Sequence, residues 1–315
     1  MQRYIITRLL LAIVIAFGVT VVAFASIQLI PADVVDIMLG TRRDPEVAAA
    51  LRHKLGLDQP PIQQYFRWLA RLAQGNLGSS LNTGQPVMGI LRQRMPVTLE
   101  LAFLATSVAT LIGIPAGITA AVRQYSTVDK VSTAAAIFGL SVPDFWLATL
   151  LILAFSVTWR LFPPGGLLPS LWEDPVGNLK RMAMPALSMG LPSAAVYFRL
   201  MRSSMLEVIR SDYMLTAYSK GLTERRVVLV HAVKNAIIPV VTATGLEMTW
   251  MLGGAFIVET IFSLPGLGRS TVQAIYERDY TVLQGSLLVF ALVVVGISVL
   301  TDLAYAALDP RIRYE

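Results

Sequence analysis

The sequence contains no cysteine, which excludes a disulfide framework, a thiolate metal site and a cysteine nucleophile. Histidine is nearly as scarce. With only His53 and His231 in 315 residues, neither an HExxH zinc motif nor a Ser-His pair within an apolar segment can be assembled. No stretch reads G-x-x-x-x-G-K-[ST], so the phosphate-cradling loop of an ATPase is missing as well. Charge is sparse: 15% of the residues are charged and 55% are apolar. A water-soluble domain does not tolerate that balance, and lipid is the solvent it fits. The net charge of +6 is therefore read as topology and headgroup charge, not as a nucleic-acid footprint.

What the sequence does have is long apolar runs. They extend from Leu9 to Ile30, Leu101 to Val122, Val131 to Trp159, Met182 to Phe198, Ala236 to Val258 and Val282 to Leu308. At ~1.5 Å rise per residue, each is long enough to approach or cross a hydrocarbon core of ~30 Å. The first follows Arg3 and Arg8, as in a signal peptide, but it is too long for one and Ala25 and Ile27 make a poor cleavage site. It is read as a retained membrane helix. The expected fold is an all-α integral membrane protein with six transmembrane helices. Arg123, Lys130, Arg199, Arg202, Arg210, Lys220, Arg225, Arg226 and Lys234 fall on the side of the termini, which predicts cytoplasmic N- and C-termini. The expected segments are a tail and first helix over 1–30, an extracytoplasmic segment over 31–100, a five-helix core over 101–308 and a cytoplasmic tail over 309–315.

Within the outer segment, Asp44, Pro45 and Glu46 predict a helix start and Gly56 a stop. From Ile62 to Ala73, the residues Ile62, Tyr65, Phe66, Leu69 and Leu72 share one helical face. Helix breakers at Pro115, Pro143, Pro185 and Pro192 lie inside expected spans. Breaks there are costly unless protein or an aqueous cavity satisfies the freed backbone, which favours a transporter over an anchor. The small-residue runs at 134–136 and 253–255 suit close helix contacts. Three acidic residues, Asp144, Glu247 and Asp302, fall within spans. Each costs at least ~2.5 kcal/mol there without water or a partner. Glu247 is the most central and is the candidate pore residue, able to attract a cationic group or disfavour anions, against the alternative of a hydrogen-bonded helix contact. For Asp144 the plainer alternative is local packing at Pro143. Asp302 is expected to pair with Arg311 or Arg313.

The segment 201–239 is polar, basic and patterned as a helix, a turn at Gly221 and a second helix. Its residues Asp212, Tyr213, Thr216, Ala217, Lys220, Gly221, His231, Ala232, Asn235, Ala236 and Pro239 resemble the cytoplasmic loop of ABC importer permeases of the dipeptide, oligopeptide and nickel uptake family. VETIFSLPGLGRS from Val258, TDLAYAALDPRIRY from Thr301 and GLDQPPIQQYFRWL from Gly56 resemble that family too, so the likeness covers almost the whole chain. Leu215 departs from it, standing where the loop's namesake glutamate would be, and Val233-Lys234 replaces Leu-Pro.

The resemblance implies a type I importer permease fold in the inner membrane, one half of a pore for short peptides or related small solutes. It also implies a coupling loop made by Asp212, Tyr213, Thr216, Ala217, Lys220, Gly221 and Glu224, with Glu247, Asp144 and Trp250 along the substrate path. The expected partners are a second homologous permease, two ATPase subunits that carry ATP and Mg, and an extracytoplasmic substrate-binding protein. No cofactor or metal is expected in this chain. The rival reading is an ion-coupled secondary transporter or channel working without an ATPase.

Overall fold

The computed structural model describes residues 2–28, 35, 45–55 and 58–308. Among them the chain is helical, with one isolated bridge between Ser79 and Pro86. Helix α1 (Gln2–Gln28), α2 (Pro45–Leu55) and α3 (Pro61–Ala73) precede α4 (Val87–Val122), a 36-residue helix. Then come α5 (Thr127–Ser141) and α6 (Asp144–Leu151), which runs on as a π-helical stretch π1 (Ile152–Thr158). Helix α7 (Pro175–Ile209) has 35 residues. A composite segment follows, made of α8 (Asp212–Ser219), α9 (Glu224–Arg226), π2 (Val227–Ala232) and α10 (Val233–Ala236). Helices α11 (Ile238–Ile261), α12 (Leu267–Tyr276) and α13 (Tyr280–Leu308) complete the chain.

Helices α4 and α7 form the centre of the bundle and share its largest interface. At ~1.5 Å per residue each is more than 50 Å long and must project beyond the apolar layer. Small residues let them approach. A Cβ on Gly113 would strike the Ala194 carbonyl, one on Gly117 would come within 2.8 Å of Phe198 O, and one on Gly190 within 2.6 Å of Ala105 O. Leu101, Ala105, Met182, Tyr197, Met201 and Met205 close this core. A second cluster, with Trp68, Leu77, Leu91 and Leu267, seals the other end. Helix α11 packs on α4, α7 and α13, and α1 packs on α13 at the edge.

Four helices, α1, α4, α11 and α13, are long and apolar enough to cross a membrane. The expected third span is not one straight rod. It divides at Val142–Pro143 into α5 and α6–π1, bent by 103°, and counting that pair as one span gives five. Pro143 is responsible: it lacks the donor a continuing helix needs and forces Val142 into extended backbone at φ −92°, ψ 121°. Pro115, Pro185 and Pro192 are instead absorbed within continuous helices. Helix α7, the expected fourth span, has too little apolar character to count beside the other four, because protein rather than lipid surrounds it; Met184, Ala186, Met189 and Ala194 are all buried.

In the segment between α1 and α4, Pro45 opens α2, while Asp44 and the expected stop Gly56 lie outside the described residues. Helix α3 forms where the periodicity places it, and only part of its apolar face is buried. Trp68 is buried with Tyr65 and Leu72 against Phe24 of α1, while Ile62 and Phe66 are exposed. The Tyr65 hydroxyl lies 2.8 Å from that of Thr20, which turns this side toward α1.

Candidate functional site

The break after Ser141 has a chemical consequence. Where α5 turns into α6, a cleft of about 490 Å³ opens against α7 and α11, lined by Val142, Asp144, Ser193, Glu247, Trp250 and Gly254 among others. Asp144 is the first residue of α6, where a carboxylate complements the helix dipole. Glu247 lies midway along α11 and its Oε2 accepts a 2.6 Å hydrogen bond from Ser193 of α7. Trp250, one turn further along α11, is 77% exposed in the isolated chain. Three positions separated by up to 106 residues in sequence thus share one cavity. Of the small-residue run after Trp250, Gly253 and Gly254 face this cleft and Ala255 packs in the core.

The basic segment after α7 is a helix, a turn and a second helix. Asp212 opens α8, whose Met214 and Ala217 are buried while Tyr213, Leu215 and Thr216 are exposed. Lys220 and Gly221 make the turn, with Gly221 at φ +72°, in the left-handed region that favours glycine. Glu224 then begins α9 after Thr223 in extended backbone. The second limb widens into π2, whose Val227, Val228 and Ala232 are buried. It is tied back to the first by a hydrogen bond from Asn235 Nδ2 to the Tyr213 hydroxyl at 2.9 Å. Ala217 faces inward, so it supports the exposed surface and does not form it.

Helix α7 joins the two places. It carries Ser193 at the cleft and ends at Ile209, two residues before α8 begins. Near that end Arg202 grips Asp129, with Nε to Oδ1 at 2.6 Å and an Nη2 to Oδ2 bond at 2.9 Å. Asp129 also accepts from the Tyr125 amide and is 4% exposed. A bidentate arginine–carboxylate pair fixes orientation as well as distance, so it ties the α4–α5 turn to the C-terminal part of α7. Sequence reasoning counted Arg202 only as a topology charge.

Besides Asp129, two more buried carboxylates, Glu259 and Asp279, had no role assigned from the sequence. Glu259, fully buried, accepts from Thr98 Oγ1 at 2.5 Å and from the Arg269 amide at 2.8 Å, capping α12. Asp279, 3% exposed, accepts from Ser80 Oγ, Leu81 N and Val282 N. It thereby pins the loop before α4 to the start of α13. Asp302 pairs with Arg8 of α1 at 3.1 Å; its expected partners Arg311 and Arg313 lie outside the described residues. The first and last helices are neighbours, which brings Arg8 within reach of Asp302.

A cavity among broken and unbroken membrane helices, with a structured basic segment at the end of its central helix, defines a transport subunit. The chain belongs to the family described as "Binding-protein-dependent transport system inner membrane component", which matches residues 113–314, with its N-terminal companion matching 1–102. It is a multi-pass inner-membrane permease subunit. It is 41% identical over 335 residues to the "Di/tripeptide transport system permease protein DppB" of Pseudomonas aeruginosa, with both chains fully covered. The "Dipeptide transport system permease protein DppB" of Escherichia coli K12 is 39% identical over 338 residues, again with full coverage of both. A putative peptide transport system permease protein of Brucella abortus is 40% identical over 315. Among solved structures, an inward-facing form of the MetNI methionine ABC transporter superposes with a TM-score of 0.58 at 19% identity, covering 70% of this chain and 97% of that one. An amino acid ABC transporter with histidines gives 0.51 at 18% identity, covering 70% and 94%. These two likenesses concern the fold.

Proposed function

We propose that the chain forms half of the pore of an ATP-driven importer of short peptides. A second homologous permease supplies the other half, two ATPase subunits bind the inner face with ATP and Mg, and an extracytoplasmic protein delivers the cargo. The observation that carries the mechanism is the single helix α7, which joins the Ser193–Glu247 contact in the cleft to the α8 segment. The names of the 39–41% identical relatives support peptides as cargo.

In this reading Tyr213, Leu215, Thr216 and Lys220 seat in a groove of the ATPase, with Asp212, Gly221 and Glu224 setting the shape of the knob and Ala217 anchoring it. Closure of the two ATPases draws the segments together, and the bundle rocks between inward-facing and outward-facing states. The Arg202–Asp129 pair recruits α5 into that motion. Glu247, Asp144 and Trp250 line the path. The full topology is a type I importer fold with six spans, α5–α6 forming a broken span and α7 a protein-surrounded one, and with both termini in the cytoplasm.

The absence of native cysteine makes the topology directly measurable. Thr216→Cys should react with a membrane-impermeant maleimide in inverted vesicles only, and lose that reactivity when the ATPase is assembled. Asn82→Cys, in the loop before α4, should react in right-side-out vesicles only. Labelling of both from one side, or no protection of Thr216→Cys by the ATPase, contradicts the assignment.

A further inference from the structure

We propose that the cleft beside Pro143 is a subsite for a primary ammonium group of the cargo, with Glu247 and Asp144 as its anions and Trp250 as its indole face. The inference rests on the pore reading above and names the chemistry that the pore recognises. Its first support is contrast. Asp129 and Asp302 each have an arginine partner, and Glu259 and Asp279 each accept from a hydroxyl and a backbone amide. Asp144 has no hydrogen bond from its carboxyl among the described residues, and Glu247 has only the Ser193 hydroxyl on one oxygen. Carboxylates inside membrane helices are costly without a partner, and a cation entering the cleft supplies one.

The lining adds direction. It holds two carboxylates and no Lys, Arg or His, so the local field favours cations and disfavours the carboxylate end of a peptide. Trp250, one turn after Glu247, lines the same cleft and is exposed in the isolated chain, and an indole is a surface on which a cation can rest. Tyr197, one turn from Ser193 on α7, is fully buried and its hydroxyl, beside Thr244 and Glu247, has no hydrogen bond of ordinary geometry. A Cβ added to Gly253 or Gly254 would meet nothing within 4 Å. Packing within the chain does not require glycine there, and the bare backbone lets an occupant come close.

Size and ligand chemistry narrow the class. About 490 Å³ suits a small organic molecule. No group of three or more His, Cys, Asp or Glu side chains that could hold a metal ion exists among the described residues, which favours an ammonium over a divalent metal.

The test uses the open position at Gly253. In the purified importer, the Gly253→Cys variant is labelled with a maleimide in the presence of dialanine amide or N-acetyl-dialanine amide, which differ in the ammonium group alone, and modification of this chain is read by mass spectrometry. Dialanine amide should protect at concentrations about tenfold lower (~1.4 kcal/mol). Adding Glu247→Gln and Asp144→Asn should erase that difference, and adding Trp250→Leu should reduce it. Equal protection by the two peptides, no protection by either, or a difference that survives both carboxamide substitutions overturns the proposal. ATP-driven uptake measured on the same unsubstituted preparation reports separately on the importer reading. Its absence sinks that reading without altering the protection result.

Discussion

Replacing Gly221 with valine is expected to break the link between ATP hydrolysis and uptake while leaving the chain folded in the membrane. Gly221 has φ +72° and a Cβ there would meet no neighbour within 4 Å, so the penalty is purely conformational. An L-residue in the left-handed region costs ~1–2 kcal/mol, and a β-branched one more. That penalty weighs against the backbone angle that sets α8 relative to α9 and π2, so it lowers the docking-competent population by about tenfold or more. On α8, Met214 and Ala217 hold the inner face while Leu215 and Thr216 look outward. A changed turn therefore has to redirect the exposed face or pull out the buried one. Peptide taken up per ATP hydrolysed should fall at least about tenfold for Gly221→Val, less for Gly221→Ala and least for Gly221→Asn, since asparagine tolerates this region. The measurement is the ratio of uptake to hydrolysis in proteoliposomes. Wild-type coupling in the valine variant contradicts the role assigned to this segment.

The largest loss of stability is expected from Glu259→Ala. The Glu259 carboxylate is completely buried between α4, α11 and α12, and its removal strands the Thr98 hydroxyl and the Arg269 amide. Thr98 in turn accepts the Leu267 amide at 2.8 Å, so the whole start of α12 loses its anchor. Each stranded polar group costs ~1–3 kcal/mol, and a buried anion at a helix N-terminus adds to that, giving ~3–5 kcal/mol in total. Glu259→Gln keeps an acceptor and should lose less. Thermal unfolding in detergent should rank wild type above Gln and Gln above Ala. Gly266→Ala should also destabilise, because its Cβ would overlap the Glu259 carboxylate. An unchanged midpoint for Glu259→Ala would show that this carboxylate does not tie the three helices together. By comparison, the Asp129–Arg202 pair is covered by its own turn near the bundle's end, so breaking it is set at ~2 kcal/mol, below the 3–5 of a deeply buried pair.

Much of this architecture was legible because local rules generate it. Pro45 and Glu46 start α2, the apolar spacing of Tyr65, Leu69 and Leu72 makes α3 a helix, and Gly221 turns the chain between α8 and α9. Hydropathy alone cannot tell a straight span from a broken one. The apolar run from Val131 to Trp159 is uninterrupted in hydropathy apart from Asp144, and only the steric effect of Pro143 on Val142 divides it. Nor does periodicity say which side of α3 meets the bundle, because that depends on Phe24 and Thr20 of a helix 40 residues away. The cleft residues were picked out singly, as charges in apolar surroundings. Ser193 was missed because a serine within a helix carries no signal until Glu247, 54 residues away, is folded against it. The buried roles of Glu259 and Asp279 depend likewise on Thr98 and Ser80, 161 and 199 residues away.

One measurement tests the central account most directly: labelled dipeptide uptake into proteoliposomes that contain this chain and the partners proposed for it, a homologous permease, two ATPase subunits and a binding protein. Uptake is predicted to require ATP and the binding protein, to survive a protonophore, and to stop when the ATPases are left out. Uptake that persists without ATP and collapses with the protonophore would contradict it and identify an ion-coupled transporter instead.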